Sequence, residues 1–97
     1  MLFVANCTDK ADSVARRQES RPAHLAYLAS LGSHIRAAGA LLDAKGQTPL
    51  GSLIIFEAAN EAEVRAMLAA DPYVKADLFV SVDLKPWRQA VGAPLAE

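Results

Sequence analysis

Ser52-Leu53-Ile54-Ile55-Phe56-Glu57-Ala58 decides the fold. Leu53 and Ile55 alternate with Ile54 and Phe56, so an extended segment here is apolar on both faces, as in a strand covered on both sides. Leu2 to Cys7 reads the same way, with Leu2 and Val4 on one face and Phe3, Ala5 and Cys7 on the other. Further along, Leu78, Val80, Val82 and Leu84 alternate with Phe79, Ser81, Asp83 and Lys85, a last strand with one apolar face that Pro86 ends. His34 to Asp43 is poor in polar side chains and carries Ala38-Gly39-Ala40, which reads as a strand with a bulge or a close backbone approach. Lys45-Gly46-Gln47 and Pro49 mark the loop that joins it to Ser52–Ala58.

Two helices fill the gaps. Thr8-Asp9-Lys10 turns the chain, and Ala11 to Glu19 is polar, with Val14 as its one large apolar anchor, so it is expected to be weakly held. Ser20 is placed to cap a helix whose first turn holds Pro22, where a missing amide hydrogen costs nothing. Leu25, Leu28, Leu31 and Ile35 then recur at intervals of three and four as a core-facing stripe, and Gly32-Ser33 ends the regular helix. Asn60 with Glu63 makes a capping-box start for a second helix whose stripe is Val64, Met67 and Leu68. That helix stops near Ala70, because the residue before Pro72 is pushed out of the helical region.

The order strand, helix, strand, strand, helix, strand is a split βαβ pattern. It predicts an α+β domain over residues 1–97, a four-stranded antiparallel sheet with both helices on one face and residues 86–97 as an irregular tail. The second sheet face, apolar in the first and third strands, is left bare. Contiguous apolar faces mark interaction surfaces, so a homodimer burying sheet against sheet is expected. Ninety-seven residues bury only about 60–65% of their unfolded surface, which favours such pairing.

Composition narrows the function. The chain is 53% hydrophobic and 22% charged with a net charge of -1, unlike a disordered chain or a basic nucleic-acid module, and it has no basic-aromatic strand motif. The lone Cys7 excludes an intrachain disulfide and reads as a buried strand thiol. Met1 leads straight into Leu2-Phe3-Val4, so no signal peptide is expected, and Leu53 to Phe56 is far short of the roughly 20 residues of a membrane span. The cytoplasm is the default location. His24, His34 and Cys7 lack metal-ligand spacing, and Gly39, Gly46 and Gly51 match no phosphate-binding pattern, so neither metal nor cofactor is expected. Nothing ties Ser30, Ser33 or Ser81 to a base.

What chemistry remains lies at His24 and in Ala70-Asp71-Pro72-Tyr73. His24 is placed in the first turn of its helix, where the dipole disfavours imidazolium unless a carboxylate answers it. Asp71 follows the second helix, and with both helices on one sheet face the start of the first falls near the end of the second. A histidine held by a carboxylate has a fixed tautomer and a stronger base at its far nitrogen, which suits general acid/base catalysis. Arg21 and Tyr73 are candidates for holding substrate, and Arg17 for an anionic one. Each residue also has an ordinary structural use: His24 as a satisfied edge residue, Asp71 as the cap of a short turn over Pro72–Ala76, Tyr73 as helix-end packing, and the arginines as solvated surface groups. His34 falls in a strand without an evident partner.

Taken together, Arg21-Pro22-Ala23-His24-Leu25-Ala26-Tyr27-Leu28, Ala38-Gly39, Gly51-Ser52-Leu53, Ala70-Asp71-Pro72-Tyr73, Phe79-Val80 and Lys85-Pro86-Trp87 closely resemble the YCII-related proteins over nearly the whole chain. The resemblance implies a ferredoxin-like subunit, a dimeric α+β barrel and a pocket whose acid/base pair falls on His24 and Asp71. It also implies a small-molecule activity of the kind seen in a dehydrochlorinase of chlorinated hydroxyquinols. The expected function is therefore a cofactor-independent lyase- or isomerase-type enzyme acting on an unknown small molecule. The alternatives are a non-catalytic dimeric module that binds a metabolite or protein and, on fold analogy alone, a cofactor-free oxygenase.

Overall fold

The computed structural model describes residues 1–95. β1 (Leu2–Asp9), α1 (Val14–Ser30), β2 (Ile35–Leu42), β3 (Pro49–Glu57), α2 (Glu61–Ala69), a short α3 (Pro72–Lys75) and β4 (Phe79–Trp87) follow in order, with a 3-10 turn at Gly32–His34. The strands form one antiparallel sheet in the order β2-β3-β1-β4. Alternation along β1 and β3 sorts their side chains as expected. Phe3, Ala5, Cys7, Ile54 and Phe56 are buried, forming one core with Leu84 and with Val64, Met67 and Leu68 of α2. Among the described residues, no helix is long and apolar enough to cross a membrane.

Several expectations are corrected. α1 begins at Val14, with Ser13 at the N-cap position making no side-chain cap, and so includes Val14–Glu19 of the stretch expected to be loosely held. Pro22 then lies inside the helix, on an exposed turn where the lost amide bond is easily replaced by water. His24 is consequently in the third turn, where a helix N-terminus no longer acts on it. Leu25, assigned to the core stripe, is 45% exposed. His34 sits in the 3-10 turn, 2.8 Å from the Glu57 carbonyl and 3.5 Å from Glu63 Oε1, so it has partners after all. β4 continues through Pro86 to Trp87, which an edge strand permits because an imide nitrogen can face outward there. The tail is thus shorter than expected, and its last two residues, Ala96 and Glu97, lie outside the described residues.

Gly51 shows how tightly β3 meets β1. A Cβ there would collide with the Cys7 carbonyl, backbone that cannot step aside cheaply. Gly51→Ala is expected to lower stability by about 1–3 kcal/mol, as overpacking does, measured as a reduced denaturant midpoint. An unchanged midpoint would contradict the close approach.

The sheet face away from the helices carries Leu2, Val4, Leu53, Ile55 and Trp87, which the strand registers place side by side. Trp87 is 38% exposed. Asn6, Asp83 and Lys85 share this face, so its apolar character is concentrated towards the Leu2 end.

Candidate functional site

The buried side of α1 explains the site. Arg17, Arg21, His24, Leu28 and Leu31 succeed one another at steps of four, three, four and three, a single helical stripe whose first half is polar. Arg17, His24 and Leu28 are its buried members. Asp71 ends the α2 connection as the N-cap of α3, accepting from the Tyr73 amide at 2.9 Å with Pro72 at the first helical position.

His24 and Asp71 meet. Nδ1 of His24 lies 2.8 Å from Oδ1 and 3.0 Å from Oδ2 of Asp71, and the two residues are 6% and 1% exposed. A carboxylate only accepts, so Nδ1 carries the hydrogen and the lone pair of the neutral ring is on Nε2. The imidazole stacks on the Tyr73 ring, with centroids 3.8 Å apart and planes 15° from parallel. Tyr73 also meets Phe79 edge-on, with ring centroids 5.9 Å apart.

Arg17, His24 and Tyr73 border a pocket of about 140 Å³, with Arg21 at its exposed margin and Ala38 and Ala40 of β2 opposite. Arg17 is the residue that sequence reasoning misjudged. It is 4% exposed rather than solvated, donating from Nε and Nη2 to Asp9 at 2.7 and 3.1 Å and from Nη2 to Ser52 Oγ at 2.7 Å. Burial opposes its charge, but hydrogen bonds and attraction from Asp9 outweigh this and hold the guanidinium pKa above its ordinary value. Asp9 and Ser52 were not singled out at all. Extending the α1 stripe back by seven residues from His24 finds Arg17, and a buried arginine then requires a carboxylate such as Asp9.

Cys7 lies beneath this network. Burial pushes its pKa from 9.0 up to about 12, with Asp71 and Asp9 reinforcing and Arg17 opposing the shift, so the thiol is no nucleophile. Among the described residues, no group of three or more His, Cys, Asp or Glu side chains is placed to hold a metal. A wider cleft of about 640 Å³ at Met1, Glu57, Trp87 and Arg88 holds an ion pair between the Met1 ammonium and Glu57 but no histidine–carboxylate pair.

The model of the YCII-related domain matches residues 1–88. This chain belongs to the YCII-related family. Protein YciI of Escherichia coli O6:H1 is 36% identical to it over 96 residues, covering 92% of this chain and 98% of the relative. Protein YciI of Shigella flexneri matches to the same extent, 36% over 96 residues. Among solved structures, 5-chloro-2-hydroxyhydroquinone dehydrochlorinase (TftG) of Burkholderia phenoliruptrix AC1100, in complex with 2,5-dihydroxybenzoquinone, superposes with a TM-score of 0.86 at 33% identity, covering 93% of this chain and 96% of that one. The YCII-related domain described here therefore shares its α+β fold with a small-molecule enzyme.

Proposed function

We propose that this YCII-related domain is a cofactor-independent small-molecule enzyme of lyase type, dehydrochlorinase- or isomerase-like, with His24 as general acid/base and Asp71 as its orienting partner. One observation carries the reading: a buried histidine–carboxylate contact of 2.8 Å whose other ring nitrogen is left to serve a pocket. Tyr73 and Arg21 hold substrate in this scheme, the phenol as a hydrogen-bond donor and the guanidinium as a charge at the mouth.

Hydroxylated single rings bearing a leaving group fit both the pocket and the likeness to TftG. Loss of HCl from a chlorinated hydroxyquinol balances without an external oxidant. His24 removes a hydroxyl proton, the oxygen's electron pair becomes a carbonyl, and the proton is delivered to the ring carbon bearing chlorine. Deprotonation of a second hydroxyl then forms the second carbonyl while chloride leaves with the C–Cl bonding pair. An isomerisation would use the first proton transfer alone. Chloride release from chlorinated hydroxyquinols by wild type, but not by His24→Gln, tests the reading. Equal release by both would sink it.

The apolar sheet face away from the helices, where Val4 and Leu53 are half-buried and Trp87 is exposed although Leu2 and Ile55 are already buried, supports the homodimer, sheet against sheet, as the working form. Size-exclusion chromatography with light scattering is expected to give twice the 10.3 kDa chain mass, and a clean monomer at micromolar concentration would contradict it. A buried, unpaired thiol accords with the reducing cytoplasm as its location.

A further inference from the structure

Arg17 has no task in this chemistry, yet it is fixed at three points by Asp9 and Ser52. Alternation makes that possible: Asp9 follows Phe3, Ala5 and Cys7 on the helix-covered face of β1, beneath α1, and the register shift that skips Val80 sets Phe79 opposite it. The remaining terminal nitrogen, Nη1, lies 3.5 Å from the Tyr73 hydroxyl, and the guanidinium carbon is 4.7 Å from the centre of that ring. A guanidinium only donates, so the phenol oxygen accepts in this contact and its own hydrogen must point elsewhere. No acceptor among the described residues takes that hydrogen, although Tyr73 is 1% exposed. The ring borders the same pocket as the His24 imidazole.

We propose that Arg17, clamped by Asp9 and Ser52, is a positioning residue that commits the Tyr73 hydroxyl to donate into the pocket, and that the pocket takes a flat ligand carrying an oxyanion beside the group His24 deprotonates. The proposal rests on the acid/base reading of this pocket. A buried donor held in place by a guanidinium suits an oxyanion because charge-assisted hydrogen bonds are short and strong where water is excluded. Burial also pushes the Tyr73 pKa up, the nearby arginines opposing only in part, so the phenol keeps the proton it donates. Lysine at position 17 retains charge but lacks the fork that reaches Asp9, Ser52 and Tyr73 together.

The test is titration of 2,5-dihydroxybenzoquinone, an acidic and coloured single ring, into wild type, Tyr73→Phe, Arg17→Lys and the double variant. Each single variant is expected to weaken binding about 10- to 100-fold, the worth of one hydrogen bond to a charged group. The double variant is expected to bind no more weakly than either single, because both act through one proton. Should Arg17→Lys fail to fold, Ser52→Ala takes its place, with weaker binding in the wild-type background and no effect in Tyr73→Phe. Undiminished affinity in Tyr73→Phe or Arg17→Lys, or strictly additive losses, overturns the positioning role while leaving the acid/base reading standing. No binding by wild type overturns both.

Discussion

His24→Gln is expected to lower turnover by about 10²- to 10⁴-fold, the usual contribution of a positioned general acid or base. Glutamine roughly matches the imidazole in size and can still donate to Asp71, so the fold has little reason to weaken. Asp71→Asn is the informative companion. Asparagine also caps helices, so the bond from the Tyr73 amide survives, but it no longer presents a charged acceptor to Nδ1. Turnover is expected to fall while the denaturant midpoint holds. A purely structural pair gives the reverse pattern, about 1–3 kcal/mol lost on breaking one buried partner and no specific effect on rate. Rates and midpoints measured on the same preparations separate the two.

The largest stability effect is expected at Arg17. Its side chain and that of Asp9 are each 5% exposed, and the pair lies 2.7 Å apart. Arg17→Met removes the cation but leaves the carboxylate buried, at a cost of about 3–5 kcal/mol, a large fraction of the roughly 5–15 kcal/mol that holds a domain together. Removing both charges, Arg17→Met with Asp9→Leu, is expected to recover most of that loss, because two apolar groups of similar size need no partner. Urea denaturation of the three proteins decides it. A single variant as stable as wild type would show that Asp9 is reached by water, contrary to its burial.

Much of the architecture was legible because the chain alternates cleanly where it is extended. Leu53 to Phe56 and Phe3 to Cys7 occupy the two central strands, as residues apolar on both faces should. Asn60 caps α2 through the Glu63 amide at 2.9 Å, as its spacing implied. His24 and Asp71 were identifiable because few other residues offered chemistry, and the split βαβ topology brings their helices together.

What stayed hidden has local causes. Pro22 reads as a helix start, yet a single exposed turn tolerates the missing amide, and mistaking it cut Arg17 off from its stripe. The register shift beside Asp9 has no glycine or proline to announce it. That shift moves Phe79 from the face its alternation assigns to it onto the core, opposite Asp9 and against Tyr73. A bulge is a property of two strands in contact, and neither strand carries it alone.

Nitrogen NMR of the two histidine rings during titration with 2,5-dihydroxybenzoquinone tests the central claim most directly, with His34, which contacts Glu57 and Glu63 and does not line the pocket, as internal control. The Nε2 resonance of His24 is expected to move in step with ligand binding while Nδ1 keeps its hydrogen to Asp71 and His34 stays still. Binding that leaves His24 unmoved, or that moves only residues of the Met1–Trp87 cleft, would contradict it.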